Sequence, residues 1–206
     1  LTVSLAGYEI VKLVRVSATV RTMTVGAFET WLVDMLADKI ALKIEEYIIK
    51  GTGDAQPKGI DALTYVDATN GVDYASAKPT AAEIAELIGY LPSQHARVAK
   101  FLMHRSTLWT DIAPIRDDSK YPILQGNGAG SYTIFGYPVL LSDSVDAGDI
   151  FFGNFKAVVG NLSQDIGVAS SDQSGFTYNA IDYRGTAIFD CDISDATAFV
   201  KGAATL

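Results

Sequence analysis

From Thr24 to Lys50 an apolar residue recurs every fourth position, at Phe28, Leu32, Leu36, Ile40, Ile44 and Ile48, with Met35 and Leu42 widening the stripe. That spacing keeps one side of an α-helix apolar. Gly51 supplies its C-terminal stop. At about 1.5 Å per residue such a helix spans roughly 40 Å, far beyond the mean of about 11 to 12 residues for globular proteins. A helix of this length is expected to act as a structural spine. Spacing by four drifts from a strict heptad, and the segment is too short for three or four full repeats, which argues against a coiled coil.

Upstream, Glu9 to Thr24 is rich in Val and Thr and reads as extended, with Lys12, Arg15 and Arg21 toward the wetter side. A lone strand needs a partner. The adjacent sequence offers none, so the expected partner lies upstream of residue 1 or in another subunit. The absence of an initiator methionine also leads us to expect residues upstream.

Downstream of the spine runs a glycine-rich connector from Lys50 to Ile60. A second helix is expected from Thr80 to Leu91, announced by Pro79 and by Thr80 with Glu83 as a capping box, and closed by Pro92. Val98 to Met103 reads as a short buried strand, and Ser106 or Thr107 as the cap of a brief helix to Ala113. After the loop Gln125 to Gly130, strands dominate: Tyr132 to Phe135, Tyr137 to Leu141, Ile150 to Phe152, Ala157 to Val159 and a longer one from Phe176 to Asp190. Strand, long helix, helix and then mostly strands is an α+β order, not the regular alternation of a doubly wound fold.

The composition narrows the function. Among 206 residues, 24 Asp and Glu face 16 Lys and Arg, a net charge of -8 that opposes binding to phosphate backbones. Charged residues are 19%, below the usual ~25%, which points to apolar surface left for partners. The single Cys191 excludes an internal disulfide and a multi-cysteine zinc site. No run of about 18 apolar residues is present.

Candidate chemistry is sparse. The glycines around Gly51 follow a helix C-terminus and lack Gly-Lys-Ser/Thr, so they read as a turn and not a phosphate loop. His104, Ser106 and Asp111 superficially supply a hydrolase trio, but no Gly-x-Ser-x-Gly elbow surrounds the serine. His95 reads as a surface or boundary residue. Asp190, Asp192 and Asp195 around Cys191 carry carboxylates that can suit a hard cation, without the glycine and closing glutamate of a twelve-residue calcium loop. Cys191 has no neighbouring histidine to activate it. Glu45 with Glu46, and Asp117 with Asp118, read as solvated faces and not as a glycosidase pair. We therefore expect no catalytic residue, no cofactor-binding residue, no metal ligand and no enzyme.

Three landmarks, in order, resemble the phage major capsid proteins of the Hong Kong ninety-seven fold. The first is the strand ending in Val16-Ser17, the long helix, and Ile49-Lys50-Gly51-Thr52-Gly53-Asp54-Ala55-Gln56-Pro57-Lys58-Gly59-Ile60, similar to the family's Gly-x-Gly-x-x-x-Pro-x-Gly-Ile. The second is Phe101-Leu102-Met103-His104-Arg105-Ser106-Thr107-Leu108-Trp109, similar to its strand and Pro/Arg-Ser/Thr-x-Trp helix. The third is Phe135-Gly136-Tyr137-Pro138-Val139 with Ile150-Phe151-Phe152-Gly153-Asn154-Phe155-Lys156-Ala157, similar to its Gly-x-Pro-Val and Gly-Asp-Phe segments, Asn154 standing where Asp is frequent.

The resemblance implies a structural protein that assembles as hexamers and pentamers into an icosahedral shell around phage double-stranded DNA, formed in the bacterial cytoplasm and located in the virion. It implies residues 1–23 as the return strand of an extended loop. Residues 24–58 and 175–206 would form a peripheral domain containing the spine, and 59–174 an axial domain. The implied partners are other copies of the chain, a scaffolding segment or protein, a maturation protease and a portal, with no sequence-specific nucleic-acid binding and no membrane. A bacterial nanocompartment shell of the same fold is the nearest alternative, and a small α+β hydrolase using His104 and Ser106 a distant one.

Overall fold

The computed structural model describes residues 5–17, 25–116, 120–126, 128 and 130–206. Strand β1 (Tyr8–Ser17) leads to helix α1 (Val25–Lys50), within one residue of the expected spine at its start. Arg21 and Asp117–Asp118 lie outside the described residues. The chain divides into two compact units.

One unit comprises Ile60–Val158 and Ile193–Leu206. In chain order it holds β2 (Gly71–Asp73), α2 (Ala81–Tyr90), a short turn of helix α3 (Ser93–Ala96), β3 (Lys100–Met103), and α4 (Arg105–Thr107) continuing as one π turn to Ile112. Strands β4 (Leu124–Gly126), β5 (Tyr132–Ile134), β6 (Tyr137–Leu141) and β7 (Ile150–Gly153) follow. With β10 (Phe199–Ala203) they make a seven-stranded sheet in the order β2-β10-β7-β3-β6-β5-β4. β3 pairs antiparallel with β7, Lys100 opposite Gly153, and parallel with β6. β10 pairs antiparallel with β7 and parallel with β2.

The core of this unit is Phe101, Met103, Phe152, Val200 and Val72 from the sheet, with Ile84 and Leu87 of α2 and Leu108 and Ile112 of the π turn. Helix α2 starts as its sequence dictates: the Thr80 hydroxyl accepts from the Glu83 backbone N–H, and the Glu83 carboxylate accepts from Thr80 N–H. Gly153 is glycine for a steric reason, because a Cβ there would lie 2.3 Å from the Ala198 carbonyl oxygen on the way into β10.

The other unit holds the described residues before Ile60 and Val159–Asp192. Here β8 (Val158–Ser171) and β9 (Ala180–Ile193) form a three-stranded sheet with β1, in the order β1-β9-β8. β1 pairs antiparallel with β9 along its whole length, Tyr8 opposite Phe189 and Ser17 opposite Ala180. The expected upstream or intersubunit partner for this strand is thereby replaced by one 163 to 181 residues further along the same chain. Alternate residues of β9, from Ile181 and Tyr183 to Ala187 and Phe189, turn toward the core, and Leu32 and Leu36 of α1 pack on Ile181 and Tyr183. Gly185 lets the helix approach: a Cβ there would sit 3.0 Å from Ile40 Cδ1.

Other expectations change in detail. Ile44 and Ile48 are only half-buried and Leu42 is exposed, while Ile49 is buried. The expected strand Ala157 to Val159 is the start of a fourteen-residue strand, and Phe176–Tyr178 forms a 3-10 turn ahead of β9. The two compact units divide at 59/60, 158/159 and 192/193. β8 goes with β9 through strand pairing, and β10 goes with β7, which accounts for the divisions at 158/159 and 192/193.

Candidate functional site

His104 and Ser106 do meet, but in the geometry of a helix cap. The Ser106 backbone N–H donates to His104 Nδ1 at 3.1 Å, and Ser106 Oγ lies 2.6 Å from the same nitrogen. The cap of this turn is thus His104, not Ser106 or Thr107. Thr107 is fully buried, and its hydroxyl accepts from Gly148 N–H. The other ring nitrogen faces Asp143 at 3.7 Å, and that carboxylate is almost fully exposed. A hydrolase holds its histidine with a buried, hydrogen-bonded carboxylate. Asp111 is not brought to the pair: its carboxylate lies 3.1 Å from Lys78 Nζ.

Two of the three carboxylates around Cys191 serve different local purposes. Asp190 is buried and accepts from the backbone N–H groups of Ala6, Gly7 and Cys191, tying the entry to β1 onto β9. Asp195 caps a 3-10 turn, accepting from the Thr197 hydroxyl and N–H, and these bonds first, then His95, hold its carboxyl below the usual range. Asp192 is half-buried. Among the described residues no group of three His, Cys, Asp or Glu is arranged to hold a metal ion. Burial pushes the Cys191 thiol up to about 11, with Asp190 and Asp192 adding to it, which disfavours the thiolate that nucleophilic chemistry requires.

His95 sits at a boundary, its side chain 12% exposed, with Nε2 3.2 Å from Asp195 and Nδ1 3.5 Å from the Asn154 amide. Asn154 in turn caps the following turn through Lys156 N–H. The connector after α1 closes on itself: Gly59 N–H donates to Gly51 O, Gly53 N–H to Pro57 O, and Lys58 N–H to Cys191 O on β9. A Cβ at Gly51 would lie 2.2 Å from the Pro57 oxygen, so the glycine serves a tight turn. Glu46 pairs with Lys43 on α1, and neither Glu45 nor Glu46 is deeply buried.

The residues alone gave no sign of one network. Lys201 Nζ lies 2.7 Å from Asp61 and 2.8 Å from Asp149, and 5.3 Å from the Phe151 ring centroid. Burial works against the ammonium charge, but the two carboxylates outweigh it and hold the group above its ordinary range. Burial pushes the Asp149 carboxyl up even beside Lys201. The partners lie 52 and 140 positions away, so no local motif encodes them.

The larger depressions are open grooves, not chambers with convergent acid and base. One of ≈480 Å³ runs between β1 and α1, lined by Lys12, Lys39, Lys43, Glu46 and Tyr47. Large side chains remain exposed, among them Leu13, Trp31, Leu42, Trp109, Tyr121 and Tyr178. The arrangement offers surfaces for protein contact more than a cleft for a small substrate.

Comparison with known proteins agrees. The sequence matches the family described as "Phage capsid family" over residues 2–204. No curated protein matches it. Among solved structures it is similar to the capsid of an empty GTA particle, at 20% identity and TM-score 0.82, covering 99% of this chain and 75% of that one. It is similar to a chain of Microbacterium phage Oxtober96, at 14% identity and TM-score 0.73, covering 98% and 73%. It also superposes on the holo-SrpI encapsulin complex of Synechococcus elongatus, at 15% identity and TM-score 0.70, covering 97% and 74%. With the spine helix and the two sheets of a Hong Kong ninety-seven type fold, and a family match along nearly its whole length, the chain belongs to the phage capsid family as a structural major capsid protein.

Proposed function

We propose that the chain tiles with copies of itself, as hexamers and pentamers, into an icosahedral shell enclosing phage double-stranded DNA. The observation that carries this reading is the family match over residues 2–204. The unit built on the seven-stranded sheet corresponds to the axial domain around the symmetry axes. The unit built on α1 and the three-stranded sheet corresponds to the peripheral domain, with α1 as its spine and β1 as the return strand of an extended loop. A scaffolding segment or protein, a maturation protease and a portal are its assembly partners, and the bacterial cytoplasm is where it assembles before residing in the virion. The net charge of -8 keeps the shell from adhering to packaged DNA.

A nanocompartment shell is the second reading, favoured only by the similarity to the encapsulin complex, at a lower TM-score than the GTA capsid. Negative-stain and cryo-electron microscopy of the protein expressed in its genomic context separates them. Closed shells with fivefold vertices that hold DNA support the capsid. Shells filled by a cargo enzyme support the alternative, and the absence of any regular particle overturns both.

A further inference from the structure

The seven-stranded sheet has two chemically different ends. β2, β3, β6 and β10 run one way and β7 the other, so the start of β3, the end of β7 and the start of β10 share one end. Arg97 and Lys100 stand there, and Lys156 follows the end of β7. All three are exposed, and none has an ion pair among the described residues. His95, two residues before Arg97, contacts Asn154 and Asp195, and the Asp195 carboxylate is committed to Thr197 and His95.

The opposite end gathers acids. The segment joining β6 to β7, residues 142–149, carries Asp143, Asp146 and Asp149 and no lysine or arginine, and β2 ends there at Asp73. Asp149 is paired with Lys201; Asp73, Asp143 and Asp146 are exposed, with His104 Nε2 3.7 Å from the Asp143 carboxylate. Arg105, following β3, is an exposed cation at this end, and Lys78 is paired with Asp111.

We propose that this sheet is an electrically polarised tile: its basic end, Arg97, Lys100 and Lys156, docks on the acidic end, Asp73, Asp143 and Asp146, of a second copy of the chain. The proposal rests on the capsid reading. A contact between two different faces of identical subunits is head-to-tail and closes into a ring when the rotation permits. Complementary rim charges of this kind set register and association rate more than final affinity. Nucleic acid is the weaker occupant for the basic end. Three cations on a chain of net charge -8 fall short of the roughly 6 to 10 phosphate contacts that strong DNA binding uses.

The test reverses charge at each end of the full protein, Lys100→Glu with Lys156→Glu in one variant and Asp73→Lys with Asp143→Lys in another. Assembly is followed by sedimentation velocity and light scattering at about 0.1 M and about 1 M salt, where screening lengths are roughly 10 and 3 Å. Each variant is expected to melt like the wild type yet to assemble about tenfold more slowly at low salt. An equimolar mixture regains the rate in even-membered rings, because every contact again joins opposite charges. Wild-type assembly slows at high salt. Unchanged assembly in both variants, or a mixture no faster than either, overturns the polarised tile while leaving the capsid reading intact. A basic-end variant that assembles normally but loses affinity for double-stranded DNA assigns that end to nucleic acid, and also overturns it. A wild-type protein that forms no assembly at either salt fails the capsid reading itself, and the tile with it.

Discussion

The best-defined exposed ion pair in the three-stranded sheet joins β1 to β9. Arg15 donates through Nε and Nη2 to Asp182 at 2.7 and 3.1 Å, and the Ser174 hydroxyl donates to the same carboxylate at 2.7 Å. These donors, Arg15 foremost, hold the Asp182 carboxyl down to about 2. A depressed folded-state pKa contributes stability that is complete above the unfolded value of about 3.9 and is lost as pH falls toward about 2. Asp182→Asn is therefore expected to lower the melting temperature slightly near neutrality, because exposed pairs are weak, and to flatten its fall between about pH 4 and pH 2 by that same small amount. Circular-dichroism melts across that interval check it, and parallel curves for the two proteins would place the titration elsewhere. Nothing local announces this pair, since its members are 167 positions apart. The Thr80–Glu83 capping box, by contrast, was legible because it spans a single turn.

Helix α1 shows how far periodicity reaches. Each step of four residues advances about 400°, some 40° beyond a full turn, so a stripe written every fourth residue winds around a straight helix. Leu32, Leu36 and Ile40 stay against the sheet, whereas Ile44 and Ile48 have rotated partly out and Leu42 stands exposed. One substitution at two sites on this helix separates the faces. Leu36→Ala is expected to lower unfolding free energy by about 2 to 5 kcal/mol. Leu42→Ala should change it by no more than about 0.5 kcal/mol, as surface changes do. Denaturant midpoints of the unassembled protein give the comparison, and equal shifts would contradict the assigned buried face. In the other sheet Gly153→Ala should cost about 1 to 3 kcal/mol by overpacking, because the added methyl meets the Ala198 backbone oxygen and β7 and β10 must part to admit it. Hydrogen exchange slowed as in the wild type along β10 would show that the sheet absorbs the methyl without parting.

Across the whole molecule, the surfaces the fold leaves open suit contact with protein, and the serine–histidine pair found among the described residues is occupied in starting a helix. Esterase, phosphatase and glycosidase screens are expected to stay at background for the wild type and for His104→Ala and Ser106→Ala alike. A turnover abolished by either change would reopen the hydrolase reading. What the sequence by itself determined was the spine helix, the capped second helix, the tight glycine turn after the spine, the α+β class and the buried strand expected over Val98 to Met103, which starts at Lys100 with Val98 exposed. Each is written in residues within a few turns of one another, where helical period, capping hydrogen bonds and glycine sterics act locally. Only the tertiary structure decided that β9 is the partner of β1, that β8 runs for fourteen residues, that β10 completes the seven-stranded sheet, and that Lys201 lies between Asp61 and Asp149. A strand's backbone groups accept any strand, so its neighbour is chosen by how distant segments bury their shared faces, and that choice leaves no local mark in the chain.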